Sequence, residues 1–145
     1  TAGTMSVAVA AGGASDALGQ PNTAGGGSQA FDTAPPTQRV ASFSVVDNVG
    51  PVQGPIASGG TTDDPTPGIT LTLDAVLGAG DVLTLSRGGG PIRTLTSGST
   101  LTFTDTLPER GGHLYVASIT DAAGNTSVLD LNGPALGTGF GLTYV

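Results

Sequence analysis

Apolar and polar positions alternate with a period of two along most of the chain, and helical periodicity is almost absent. The clearest case is Gly68-Ile69-Thr70-Leu71-Thr72-Leu73, which sets Ile69, Leu71 and Leu73 on one face and threonine on the other. Thr100 to Thr104 repeats the pattern, with Leu101 and Phe103 inward. The same pattern predicts strands at Val40 to Val46, Val82 to Ser86, Ile92 to Thr96, His113 to Thr120 and Ser127 to Leu131. Turn clusters separate them: Gly54-Pro55, Gly59-Gly60, Pro65 to Gly68, Gly78 to Gly80, Gly88 to Pro91, Pro108 to Gly112 and Gly124-Asn125. Threonine suits the outward positions because its branched Cβ packs well on a pleated surface. Ser15 to Gln20 has room for a helical turn only, since Gly and Pro close it on both sides.

The chain also repeats itself. Residues 5 to 23 read MSVAVAAGGASDALGQPNT and residues 114 to 126 read LYVASITDAAGNT, each an alternating strand followed by Asp-Ala-x-Gly-(Gln/Asn) and a threonine. A Gly/Ser stretch (Gly25 to Ser28) follows the first copy, then the extended, proline-stiffened Phe31-Asp32-Thr33-Ala34-Pro35-Pro36. These features predict that residues 1–31 are the closing strands of a preceding or neighbouring repeat and residues 32–37 a linker. Residues 38–131 would form one complete unit, and residues 132–145 a C-terminal extension. Within that extension Phe140, Leu142 and Tyr144 alternate as a lone strand, a candidate for exchange with another copy because an isolated strand needs a sheet to join.

Composition sharpens this reading. Glycine (25) and proline (10) make up about a quarter of the 145 residues, while charged residues are 10%, so self-repulsion is not what would keep the chain open. Aromatics are 4%, so the core is built from Val, Leu, Ile and Ala, with Phe43, Phe103 and Tyr115 as its few large members. The expected fold is an all-β, immunoglobulin-like sandwich of about seven strands, with strand-forming extensions at both ends. Four arginines against eleven acidic residues give a net charge of -7, which excludes a phosphate-binding patch and disfavours nucleic acid and anionic membrane surfaces. The absence of cysteine removes disulfides and thiolate sites together. No apolar run approaches the roughly 18 residues of a membrane span, and the N-terminus lacks a signal-like stretch, as in a mature protein or a segment of a longer one.

Four stretches carry a family likeness. They are Phe31-Asp32-Thr33-Ala34-Pro35, Val46 to Ile56 (VDNVGPVQGPI), Gly59 to Pro67 (GGTTDDPTP) and Asp121 to Ser127 (DAAGNTS). In order and spacing they resemble the bacterial immunoglobulin-like repeats of large secreted adhesins and biofilm-associated proteins, over about a hundred residues. The resemblance implies a sandwich in a tandem array, outside the cell at the bacterial surface, often stiffened by calcium at the ends of each unit. By the same resemblance Asp32, Asp47, Asp63, Asp64, Asp121 and Asn125 are the candidate calcium ligands, loop oxygens of the kind a hard cation takes. Asx-turns and loop caps are the competing role for each of them. The expected function is a non-catalytic module that extends or spaces an adhesin from the cell. Its partners would be neighbouring copies or repeats of the same protein, with a surface receptor or glycan as a further candidate. The alternative is a subunit of an extracellular filament linked by terminal strand exchange.

Enzymatic readings find little footing. His113 is the lone histidine and opens a strand, and no Gly-x-Ser-x-Gly elbow presents a nucleophile. Asp105 and Glu109 bracket a proline-containing turn with no pocket implied. Ser86-Arg87-Gly88-Gly89-Gly90-Pro91 has the glycines of a phosphate cradle but no lysine and no following helix. Asn125-Thr126-Ser127 is a formal glycosylation sequon inside a tight turn.

Overall fold

In the computed structural model, which describes residues 2–132 and 138–145, the chain divides into two units, Thr1–Ala34 and Pro35–Val145. Residues 133–137 of the expected C-terminal extension lie outside the described residues. Among the described residues there is no helix.

The first unit is a long hairpin. Strand β1 (Ala2–Val9) pairs antiparallel with β2 (Gly25–Asp32) over its whole length, from Ala2 opposite Asp32 to Val9 opposite Gly25. Directly opposed residues share a face, so Met5, Val7, Val9 and Phe31 gather on one side and Ala2, Thr4, Ser6, Ala8, Ser28 and Ala30 on the other. The Phe31 ring lies over Gly3, where an added Cβ would come within 2.5 Å of it. Beyond β1 the chain continues to a turn at Asp16, closed by a bridge between Ser15 and Pro21. The Gly/Ser stretch Gly25 to Ser28 is the first half of β2. Its strand comes from the register that β1 imposes, because glycine contributes no strand preference of its own.

The second unit begins with β3 (Val40–Asp47), followed by two short strands, β4 (Gly54–Ile56) and β5 (Gly60–Thr62), and by β6 (Gly68–Leu73). Next come β7 (Val82–Arg87), β8 (Gly90–Leu95), β9 (Thr100–Thr104) and the long β10 (Gly111–Thr120), then β11 (Thr126–Leu129) and β12 (Phe140–Tyr144). One sheet has the order β4-β3-β6-β9 and the other β5-β12-β10-β7-β8. All pairs are antiparallel except β12 with β5, which run parallel with Leu142 opposite Gly60 and Tyr144 opposite Thr62.

The core is where the alternation placed it. Val45, Ile69, Leu71, Leu73 and Leu101 of one sheet meet Leu83, Leu85, Tyr115, Ala117 and Ile119 of the other, all buried. Phe43 is half-buried against this core, its ring 5.1 Å from Phe140 edge-on and 6.1 Å from Tyr115. Phe103 is likewise at the margin, with the Arg93 guanidinium 4.6 Å above its ring.

The last strand differs from expectation. Phe140 and Leu142, assigned to a lone strand outside the sandwich, are 5% and 2% exposed in its core. The edge of β10 opposite β7 is occupied in two stretches, by β11 along Ala117–Thr120 and by β12 along Gly111–Tyr115. The same edge of β10 is thus filled twice, first by β11 and then by β12. Burying two large apolar side chains contributes about 1.5–3 kcal/mol each, which holds β12 in its own unit.

Candidate functional site

The two ends of the second unit carry its polar chemistry. At the end where β3 and β12 finish, Asp47 closes β3, and its Oδ2 accepts a hydrogen bond of 2.6 Å from the Thr62 hydroxyl. Its Oδ1 accepts the Val49 N–H at 3.0 Å. The Thr62 hydrogen bond chiefly holds the Asp47 carboxyl below the usual carboxylate range; burial opposes this, and the Val49 N–H supports it. Asp64 is fully buried beside them. It accepts from Thr66 N at 2.7 Å and Thr66 Oγ1 at 3.2 Å on Oδ1, and from Asn48 N at 3.1 Å on Oδ2. The Asp64 N–H donates in turn to Thr62 Oγ1. Asp63 is exposed, and its carboxylate lies against Gly50, where an added Cβ would come within 2.6 Å of Oδ2 and where the left-handed φ of 69° favours glycine.

On the same end Asp105, just past β9, joins the two sheets. Its Oδ2 takes both an ion pair from Arg87 Nη1 on β7 and a 2.8 Å hydrogen bond from the Tyr115 hydroxyl on β10. Burial by itself would lower the Arg87 pKa, but the hydrogen bond and charge of Asp105 outweigh it and the net shift is upward. Burial, reinforced by Asp105, raises the Tyr115 phenol above its ordinary value. A shallow cleft next to this group is lined by Arg87, Pro108, Glu109, Arg110 and His113. There the His113 ring Nε2 is 2.9 Å from the Glu109 carbonyl oxygen, and Arg110 lies 5.8 Å over the Tyr144 ring.

At the opposite end Asp121 shapes the turn between β10 and β11. Its Oδ1 accepts the N–H of Ala123 at 2.9 Å and of Asn125 at 2.8 Å, and its Oδ2 accepts the Asn125 side-chain amide at 2.8 Å. Chiefly that amide lowers the Asp121 carboxyl below its ordinary value, against a small desolvation penalty. The Asp16 turn of the first unit repeats this geometry. Asp16 Oδ1 accepts from Leu18 N and Gln20 N, Asp16 N donates to Gln20 O, and Gly19 N donates to Asp16 O. The equivalent backbone bonds join Asp121 with Asn125 and with Gly124, and both glycines have positive φ, 76° at Gly19 and 90° at Gly124. The internal repeat seen in the sequence is therefore matched by the same turn in both units.

The six expected calcium ligands do not form one shell. Asp47, Asp63 and Asp64 share one end of the second unit, Asp121 and Asn125 the other, and Asp32 belongs to the first unit, where its Oδ1 accepts the Ala34 N–H at 2.9 Å. Asn125 turns its amide N–H toward Asp121, which is a cap and not a shared pair of oxygen ligands. Among the described residues no group of three or more His, Cys, Asp or Glu is arranged to hold a metal ion. The carboxylates of Asp47, Asp64 and Asp121 have their oxygens engaged by protein donors, the Asx-turn and loop-cap role.

Sequence reasoning did not connect Arg87, Asp105 and Tyr115. The one available signal was Tyr115 at an inward position of an apolar strand, since a buried phenol needs a polar partner. In comparisons with known proteins, no family model, curated protein or solved structure matches this chain.

Proposed function

We propose that the chain is a non-catalytic structural and adhesive module of the bacterial cell surface, an immunoglobulin-like repeat that extends or spaces a larger extracellular protein. The order of strands supports the immunoglobulin-like reading: β3, β6 and β9 face β8, β7, β10, β11/β12 and β5, the two-sheet arrangement of such domains. The observation that carries the mechanical reading is where the chain enters and leaves the sandwich. It enters at Val40, beside the end of β6 at Leu73, and leaves after Tyr144, beside Thr62 and Gly111 at the other end. Tension between those points runs along the strands. The ladders β3–β6, β12–β10 and β12–β5 are then loaded in shear, so that their hydrogen bonds must fail together and not one by one.

The entry is anchored as well. Arg39 N donates to Asp74 Oδ1 at 2.8 Å, and the Gln38 side chain donates to Asp81 Oδ2 at 3.2 Å. Neighbouring units of the same protein are the proposed partners, with a surface receptor or glycan as the target of the whole. The resemblance also implies calcium. An ion would have to bind at one of the two acidic ends by displacing protein donors from their carboxylates. A filament joined through the first unit, whose apolar face is exposed, is the second reading. Exchange of β12 has less support, because Phe140 and Leu142 already belong to their own core.

Single-molecule stretching of the second unit between its ends tests the proposal. A single abrupt rupture at high force is expected, governed by the unfolding barrier. Gradual extension at low force would remove the mechanical reading.

A further inference from the structure

The open sheet edges of the second unit differ in what protects them. β4 and β9 end one strand order, β5 and β8 the other, and β11 borders β10 beside that path. β4 and β5 have three residues each, with Pro55 inside β4, and β11 has four. β8 carries Pro91 and Arg93, and its register with β7 shifts next to Pro91. Shortness, proline, charge and bulges are the devices that keep an edge from pairing with another chain. β9 has none of them. Thr100-Leu101-Thr102-Phe103-Thr104 is uncharged, free of proline and in unbroken register with β6.

Leu73 N donates to Ser99 O at 2.8 Å and Asp105 N donates to Pro67 O at 3.0 Å, so the odd-numbered residues of this segment bond to the β6 side. Ladder bonds alternate sides along an antiparallel strand, which turns the N–H and C=O of Thr100, Thr102 and Thr104 to the open edge. We propose that this edge is a self-association site, occupied by β9 of a second copy running antiparallel to it. With a twofold axis at Thr102, that residue faces its own counterpart, and Thr100 faces Thr104 of the second copy. Every backbone group that the threonines turn outward then has a partner. A shift of two residues in either direction leaves a threonine of each copy with no partner on the strand.

The side chains favour a second copy over a strand of unrelated sequence. Threonine opposite threonine is a pairing this protein already uses, at Thr70 and Thr102, Thr72 and Thr100, Thr84 and Thr94, and Thr120 and Thr126. The hydroxyls of the first and last of these pairs are 3.3 and 2.9 Å apart. On the inner side Leu101 comes opposite the second copy's Phe103, a ring that its own core leaves half-buried. The two β4-β3-β6-β9 sheets become one continuous sheet. Arg93 lies over the Phe103 ring in each copy, so pairing brings like charges to one side of the junction and stays weak. Such a contact suits side-by-side association of many copies, where linked contacts add avidity. This inference goes beyond the proposed module role and does not depend on the mechanical argument.

Sedimentation equilibrium on the 145-residue chain, from about 10 μM to about 1 mM, tests it. The wild type is expected to pass from monomer to dimer. Thr102→Pro removes an N–H that makes no bond within its own sheet, the position where an edge strand tolerates proline. It is expected to keep the amide-exchange protection of β6 and to weaken the dimer about tenfold or more. The discriminating pair is Thr102→Lys and Thr102→Glu, because residue 102 faces itself only in this register. Each alone is expected to weaken the dimer, since like charges stand directly opposite, and an equimolar mixture of the two is expected to restore it. A wild type that stays monomeric throughout overturns the proposal and leaves the stretching result unaffected. A dimer insensitive to Thr102→Pro lies on another edge, the hairpin's included, and also overturns it. Lysine and glutamate variants that do not complement each other overturn the twofold pairing at Thr102.

Discussion

The Tyr115 hydroxyl and the Arg87 guanidinium meet on the same oxygen of Asp105, which ties β7, β10 and the exit of β9 into one buried polar contact. Among the described residues Asp105 is the carboxylate that both groups contact, and losing it leaves a half-buried arginine without its counter-charge. Asp105→Ala is expected to cost about 3–5 kcal/mol of stability, the range for breaking a buried pair from one side. Tyr115→Phe, which removes one hydrogen bond and keeps the ring, is expected to cost about 1–2 kcal/mol. Urea unfolding of the two variants checks both size and order; equal costs would mean that the ion pair contributes little.

The last strand gives a second test. Phe140 packs edge-on against Phe43 inside the core, so Phe140→Ala is expected to lower stability by about 3–5 kcal/mol. A change below about 1 kcal/mol, the level of a surface substitution, would show that β12 does not close its own sheet in solution.

Acid should weaken the second unit. Asp47 and Asp121 both have folded pKa values below their unfolded ones, so the folded state binds fewer protons in that window. The stability they contribute is fully present above about pH 4, the unfolded carboxylate value, and is lost as pH falls through the lower folded values. Thermal melts from about pH 6 down to about pH 2 should show this fall, and Asp47→Asn should flatten it. Alkali acts through Tyr115 in the other direction: its raised pKa means that stability declines once pH passes about 10, where the unfolded phenol releases its proton first.

Chelation is expected to leave the melting transition of the unit unchanged, because the carboxylates at both ends are engaged by protein N–H and O–H donors. A transition lowered by chelator and restored by calcium would show that those clusters reorganise around an ion.

Much of this molecule was visible in local pattern. Ile69, Leu71, Leu73 and Leu101 are inward as their alternation with threonine requires, because the strand period of two has one solution once a core exists. The Asp-x-x-Gly-x turn was legible twice, since the aspartate caps its own loop and only glycine accepts the positive φ at its fourth position without strain. The candidate ligands were legible as turn residues, but not their distribution: nothing local indicates that Asp47 and Asp121 sit at opposite ends of one sandwich.

Alternation and turn chemistry, both short-range effects, were enough to establish an all-β chain, its principal strands and the side of each that faces inward. They could not establish partners. Gly60–Thr62 is a strand because β12 runs parallel beside it, Gly25–Asp32 because β1 supplies its register, and Phe140 is core because β10 has an unfilled edge. The convergence of Arg87 and Tyr115 on Asp105 likewise needs both sheets in place. Backbone pairing and buried polar contacts depend on residues far apart in the chain, so they come into being only when the layers close.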